Sequence, residues 1–495
     1  MKGMDLVKRT LVILILGLMV VHFGFRLRLI TDHRVDLGAQ EINVVYGIQK
    51  IMLGRPLYQD PEEPPFDVMQ YTPAYYFLCA GVGSVVGIDV QDTYALFLLS
   101  RITSLLLNLT TCWLIYLLTR VVGAGTWLGL ATGALVFALH SEQFYSRVDS
   151  LYALFFTASL LVFIRSIHAE GRKGLLVCTL LCALAFMTKQ NGVLMIGIVG
   201  AYLLIERSWR SFGLFAIASM LFILAGLGLT LIDSAPIDLW KNTVQGLMNG
   251  LVERPFPHFR DPGVYKFYAG WHIAAVALFV VFFRKGNGVF RFFAVAILLS
   301  LLFGAVASFK QGSGSHYLFE FHLFVMVGCV VWIASASERA SRVAGVLFLS
   351  YALLFMVHRT RQLQAWLGSD AERSTSLKEY RSDLRAFHVL VGELGLRTQD
   401  RVFITYRGHL ELLLNGYGLL AQKDILEWSR TPPFDLHLFD QAMVDGTVRY
   451  VISNTATDPM RSMGYNDPLF RPVREWEGRI IWSRAPTVSG TPTGL

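Results

Sequence analysis

Charge is what this chain lacks. Only 16% of its 495 residues are Asp, Glu, Lys or Arg, against about a quarter in an ordinary soluble domain. That shortage, with 54% hydrophobic residues and a mean hydropathy of +0.48, excludes a disordered chain and an ordinary cytosolic enzyme. Cysteine is scarce too. Cys79, Cys112, Cys178, Cys182 and Cys329 each lie inside an apolar run, which excludes a disulfide framework. Cys178 and Cys182 share a helix face at i,i+4, but no carboxylate or histidine stands beside them to complete a metal site, so they read as small apolar filling. No repeat of fixed period occurs. The net charge of +8 does not point to nucleic acid, because polytopic membrane proteins collect Lys and Arg in their cytoplasmic loops. The membrane is the first partner implied.

Long apolar runs are abundant. Stretches near the length of about 20 residues that spans a bilayer occur at 10–29, 93–119, 124–141, 149–166, 174–188, 192–206, 211–232, 270–283, 288–308, 318–336 and 341–357. The first breaks at Arg26 and Arg28 without a small-residue cleavage site, so it is not a removable signal. A further stretch, 71–88, decides the topology. Basic residues cluster at Arg165, Arg172 and Lys173, at Arg207 and Arg210, at Arg284, Lys285 and Arg291, and at Arg339 and Arg342. These loops alternate with loops poor in basic residues, which places them in the cytoplasm. All four fall on that side only if 71–88 does not span. The expected fold is therefore a polytopic α-helical membrane protein of about eleven passes, with 71–88 as a re-entrant or juxtamembrane helix on the outer face. The N-terminus is expected inside. Residues 1–357 form the membrane module, with a first extracytoplasmic loop at 30–92.

From 358 onward charge returns, and period-two alternation marks RVFITY at 401–406 and RYVIS at 449–453, after a helix-like run at 376–395. A small α/β extracytoplasmic domain is expected over 358–495, with a frayed tail, VSGTPTGL. The predicted location is the inner (plasma) membrane.

This topology sorts the polar residues. Ionisable groups at membrane depth are costly and tend to be functional, and here they gather on the outer side. Asp36, in VDLGAQEINVVYGI, precedes Glu41 by five residues. It suits a general base beside a membrane cavity, or equally an N-cap for an amphipathic helix at about 39–53. Arg147 and Asp149 open a pass, where a snorkelling Arg and a capping Asp are the plain alternative. Arg101 lies two turns into its pass and needs an anionic partner, such as a lipid phosphate, or a route to the headgroups. Lys189 and Gln190, in MTKQNGV, interrupt a hairpin that a simple polar turn would also explain. Lys310, His316, Tyr317 and Glu320 cluster before an apolar run, but a zinc site on His316 and Glu320 lacks a third spaced ligand. Together, acids and cations on one aqueous side suit phosphate chemistry at a membrane surface.

The order of GRPLYQDPEEPPF, QYTPAYY, SRITS, SRVDSLY, MTKQNGV and GSHYLFE after the first pass resembles the GT-C superfamily of polytopic membrane glycosyltransferases. Within it, the pattern resembles the family 39-like bacterial enzymes related to protein O-mannosyltransferases and aminoarabinose transferases, over about residues 1–335. The resemblance implies juxtamembrane helices in the first loop, a polyprenyl-phosphate-linked sugar as donor, and a lipid, glycan or protein acceptor. It places the family's first-loop catalytic carboxylate on Asp36 and its second-loop acid on Asp149. Many relatives carry adjacent Asp-Glu; here Asp36 and Glu41 are five apart, so both stand as candidates for the base. The implied reaction is an inverting displacement, with Arg101, Arg147 and Lys189 neutralising the departing phosphate and Gln190, Tyr71, His316 and Tyr317 lining the substrate site. A divalent cation is the one cofactor the superfamily leaves open. A transporter, a lipid flippase and a lipid-linked polymer ligase are the competing classes. A transporter would show internal symmetry, which is absent.

Overall fold

A computed structural model of the chain describes residues 2–37, 40–139, 145–169, 172–248, 250–251, 265–286, 288–310, 314–422, 434–454, 470–476 and 478–484. The start of EQFYSRVD, parts of the loops at 252–264 and 311–313, and the tail VSGTPTGL lie outside the described residues.

Helices occupy every apolar stretch named above. α1 (Lys2–Ile30) carries Asp5 in its first turn and Arg28 in its last, complementing the helix dipole at both ends. It is followed in the membrane module by α2 (Glu41–Met52), α3 (Ala74–Val86), α4 (Thr93–Val121), α5 (Thr126–Leu139), α6 (Asp149–Ala169), α7 (Arg172–Thr188), α8 (Val193–Ile205), α9 (Trp209–Thr230) and α10 (Pro236–Thr243). α11 (Ala269–Lys285), α12 (Gly288–Ala307), α13 (Phe319–Ser335) and α14 (Glu338–Trp366) complete it. Among the described residues, 7 helices are long and apolar enough to cross a membrane; α3, α5 and the Gln190–Ile205 stretch are shorter apolar helices. The chain is a polytopic, mostly helical membrane protein. Its lipid-facing surface shows as exposed Ile217, Leu221, Leu224 and Leu229 along α9, residues that a soluble protein would bury.

α3, over the stretch on which the expected topology turns, has 13 residues, as many as α8. Cys178 and Cys182 sit buried on α7 with their sulfurs 4.0 Å apart, both free thiols.

The C-terminal residues form α15 (Asp370–His388), opened by a capping box between Ser369 and Glu372, then the short α16 (His409–Leu413), α17 (His437–Asp445) and a four-stranded sheet. β1 (Arg401–Ile404) and β2 (Val448–Ser453) match the two alternating runs, and they pair in parallel. β3 (Phe470–Trp476) and β4 (Arg479–Arg484) add antiparallel neighbours, giving the order β1-β2-β4-β3. This sheet does not stand apart from the first loop. Ile42, Val45 and Tyr76 share one apolar core with Leu390, Val402, Ile404, Leu410 and Ile452. The loop helix α2 is consequently buried from Glu41 to Lys50, polar residues included.

Candidate active site

Burying α2 obliges each of its polar side chains to find a partner. Asn43 Nδ2 donates to the Val68 carbonyl at 2.9 Å, and Gln49 Nε2 to the Leu412 carbonyl at 2.9 Å. Lys50 Nζ lies 2.9 and 2.8 Å from the two oxygens of Asp67, both side chains fully enclosed. Two of these contacts tie α2 to the later part of its own loop, and the third ties it to α16.

Glu41 starts the same helix, and its carboxylate meets Arg101 of α4 in a two-bond fork, Nε–Oε1 and Nη2–Oε2 each 2.9 Å, with neither side chain exposed. The Leu37 and Ser146 N–H groups take the remaining carboxylate positions at 2.8 and 3.0 Å. Arg101 spends its other N–H groups on the Asp32 and Arg34 carbonyls, each at 2.6 Å. The cation expected to meet the donor phosphate is turned into a brace between α4 and the first loop, and Glu41 is tied up with it. Two turns of helix inside a pass, it found its anion sixty residues back in the chain.

Asp36 has a different setting. Its Oδ1 accepts the Glu41 N–H at 3.0 Å, so it satisfies the first N–H of α2 although Gln40 and not Asp36 holds the N-cap position, and its Oδ2 receives Arg407 Nη1 at 3.0 Å. The pair remains partly exposed, 16% for Asp36 and 26% for Arg407. Burial pushes the Asp36 carboxyl above its ordinary value, the Glu41 carboxylate adds to this, and the Glu41 N–H with Arg407 and Arg147 opposes it.

Arg147 connects Asp36 to a second cluster. Asp149 lies at the start of α6, with Lys189 Nζ 2.5 Å from Oδ1 and Arg147 Nε 3.1 Å from Oδ2, all three buried. Lys189 is held there by the turn between α7 and α8, where a Cβ at Gly192 would collide with the backbone of Ala185 and Phe186. The Lys189 ammonium faces the rings of Tyr317 at 5.1 Å and Tyr71 at 5.9 Å, within cation–π range of about 6 Å. His316 stands within electrostatic reach of Asp149, and Glu320, bonded to Tyr152 at 2.5 Å, within reach of Lys189 and Asp149. Lys310 approaches from the loop after α12. Burial, with the Lys189 charge beside it, pushes its ammonium down to about 8.

Gln190 does not join this group. Its Nε2 donates to the Gln70 and Thr243 carbonyls at 2.8 and 3.0 Å, so it fastens the QYTP segment to α10. Arg407 was not legible as a site residue, since it lies 371 positions from Asp36 and carries no local motif. Lys50 and Asp67, 17 positions apart in the first loop, carry no local motif either.

Asp149 carries a cation on each oxygen and Glu41 a guanidinium on both, and among the described residues no three metal-ligating side chains converge. These residues do not fit a divalent cation, and no step below uses one.

The fold has known counterparts. Residues 76–232, a stretch that holds Arg101, Arg147, Asp149 and Lys189, match the family described as dolichyl-phosphate-mannose-protein mannosyltransferase. The whole chain superposes on ArnT from Cupriavidus metallidurans in the apo state with a TM-score of 0.62, at 12% identity over 96% of this chain and 97% of that one. The chain has the fold of ArnT. Over residues 76–232 the family match agrees with the resemblance carried by the motifs. ArnT bound to undecaprenyl phosphate gives a TM-score of 0.59 at 11% identity, covering 97% of this chain and 98% of that one. The archaeal oligosaccharyltransferase AglB from Archaeoglobus fulgidus gives 0.53 at 12% identity over 89% of this chain and 69% of that one. No curated protein matches the sequence significantly.

Proposed function

We propose that the chain is a membrane glycosyltransferase that moves a sugar from a polyprenyl-phosphate carrier to an acceptor hydroxyl or amine on the extracytoplasmic side. One observation carries this reading: a partly exposed carboxylate, Asp36, lies within electrostatic reach of Arg147 in a buried cluster where Asp149 is shared by two cations. A base for the acceptor and cations for a leaving phosphate are the two requirements of the reaction. The fold likeness to a protein solved with undecaprenyl phosphate supports the class of donor.

In the proposed reaction, Asp36 takes the proton of the acceptor as its lone pair attacks the anomeric carbon. The carbon–oxygen bond to phosphate breaks with inversion, and the polyprenyl phosphate leaves against Arg147, Lys189 and Lys310. Asp149 orients Lys189 and Arg147, and Tyr71, Tyr317 and His316 line the approach. Each Asp36 oxygen accepts one bond from the protein and has room for a second donor, so the base stays available. In this reading the basic loops lie in the cytoplasm, eleven helices cross an inner membrane, and the unit over 358–495 stands outside.

The test is transfer in detergent from radiolabelled polyprenyl-phosphate sugars to a panel of lipid, glycan and protein acceptors. Asp36→Asn is nearly isosteric and should lower transfer by about 10² or more, while its retained capping bond keeps thermal stability within about 1 kcal/mol. A wild-type protein that moves labelled lipid between leaflets without transferring sugar would replace the enzyme by a flippase.

A further inference from the structure

Among the described residues, the C-terminal part of the chain reaches the candidate base through a charged contact, Arg407 on Asp36. The segment that carries Arg407 is fastened on both sides. Tyr406 Oη donates to Asp383 Oδ1 at 3.0 Å, and the Leu410 N–H donates to Asp383 Oδ2 at 3.2 Å. Asp383 is buried on α15 and is held in turn by Arg479 Nε of β4 at 2.9 Å. Between these anchors the backbone of Gly408 passes so close that a Cβ there would collide with the Asp383 carboxylate and the Tyr406 ring. His409 pins the same turn to the first loop, with Nε2 3.0 Å from the His33 carbonyl and Nδ1 2.8 Å from Thr93 Oγ1. An incidental surface ion pair has no such support, because its long side chains must give up entropy to meet. Here α15, β4 and α4 all act to hold one arginine against one carboxylate.

We infer that Arg407 is a positioning residue for Asp36, and that the Asp383–Arg479–Tyr406 cluster is the device that keeps it in place. The inference rests on the reading of Asp36 as the base. The charged groups that face Asp36 are Glu41 from α2, Arg147 from the segment before α6, and Arg407. Burial and Glu41 both disfavour the ionised carboxylate, so Arg407 is one of two cations that keep Asp36 able to take a proton. It also fixes Oδ2 while the Glu41 N–H fixes Oδ1, leaving the carboxylate plane a single orientation. A soluble-side domain that looks remote from the chemistry thereby completes the base.

The experiment is the pH profile of kcat/KM for the full-length protein in detergent, with radiolabelled polyprenyl-phosphate sugar as donor. In Arg407→Gln the acidic limb should move upward by roughly one pH unit, with activity recovering as the pH rises. Arg407→Lys should leave the limb in place and lower kcat by several-fold, because charge survives while the rigid guanidinium that sets the Nη1–Oδ2 contact is lost. Asp383→Asn should move the limb in the same direction as the Gln variant, by less. A Gln profile that superimposes on the wild type overturns the inference, as does one that is lower by a constant factor at every pH. If the Gln variant does not accumulate, the Lys variant decides, and an unchanged kcat overturns the proposal. Asp36→Asn in the same assay separates the two readings. If it stays active, the assignment of the base fails; if it is inactive while Arg407→Gln keeps the wild-type limb, only the role of Arg407 fails.

Discussion

Glu41 and Asp149 are both buried carboxylates bound by cations, and they differ in charge balance. Glu41 meets one guanidinium that covers both its oxygens, and every other bond in that network runs to backbone. The network is neutral and closed. Asp149 is divided between Lys189 and Arg147, with Lys310, His316 and Glu320 close by, so two carboxyl groups face a larger number of basic ones. A buried pair that cancels braces the fold, and breaking it is expensive because it strands a charge away from water. A carboxylate shared among cations orients them for an arriving anion. Identical residue types thus serve opposite ends, and the count of partners separates them.

The most damaging way to break this comparison is Arg101→Gln. It strands the Glu41 carboxylate, so the expected result is a loss of roughly 3–5 kcal/mol, read as a large drop in thermal stability or as failure to accumulate. A variant of normal stability that loses only its affinity for polyprenyl phosphate would return Arg101 to the binding site. Next in size is Lys189→Gln. Loss of a charge-assisted bond to phosphate costs about 1.5–3 kcal/mol, so binding of undecaprenyl phosphate to the purified protein should weaken by about 10- to 150-fold. The thermal shift should be smaller than for Arg101→Gln, since Arg147 remains on Asp149. Equal affinity in wild type and variant would make the second cluster another brace.

The smallest effect sharpens the comparison through pH. Lys310 carries its charge below about 8 and loses it above, so donor binding is favoured below that value and kcat/KM should fall as the pH rises through it. Lys310→Arg keeps the charge at all working pH values and should carry that limb upward. An alkaline limb that stays in place would assign it to another group.

Much of this architecture was legible before any fold was known. The segment 39–53 reads as an amphipathic helix and α2 spans Glu41–Met52, and the alternating runs became β1 and β2. The site was legible in part. Arg147, Asp149 and Lys189 announce themselves as charges at the ends of apolar runs, and the structure joins all three. Arg101 announces itself equally well, yet its partner is Glu41, because a charge at depth states only that it needs an opposite charge and not which one.

Local physics therefore determined the elements of this protein. Scarce charge and long apolar runs require helices in a membrane, since only internal hydrogen bonding satisfies the backbone there. Period-two alternation marked β1 and β2 but not β3 and β4, and basic loops supplied the expected orientation. Tertiary structure alone decided the pairing of charges. It matched Glu41 to Arg101 across 60 positions, Asp149 to Lys189 across 40, and Asp36 to Arg407 across 371. Coulomb attraction depends on distance and burial, and neither is written along the chain.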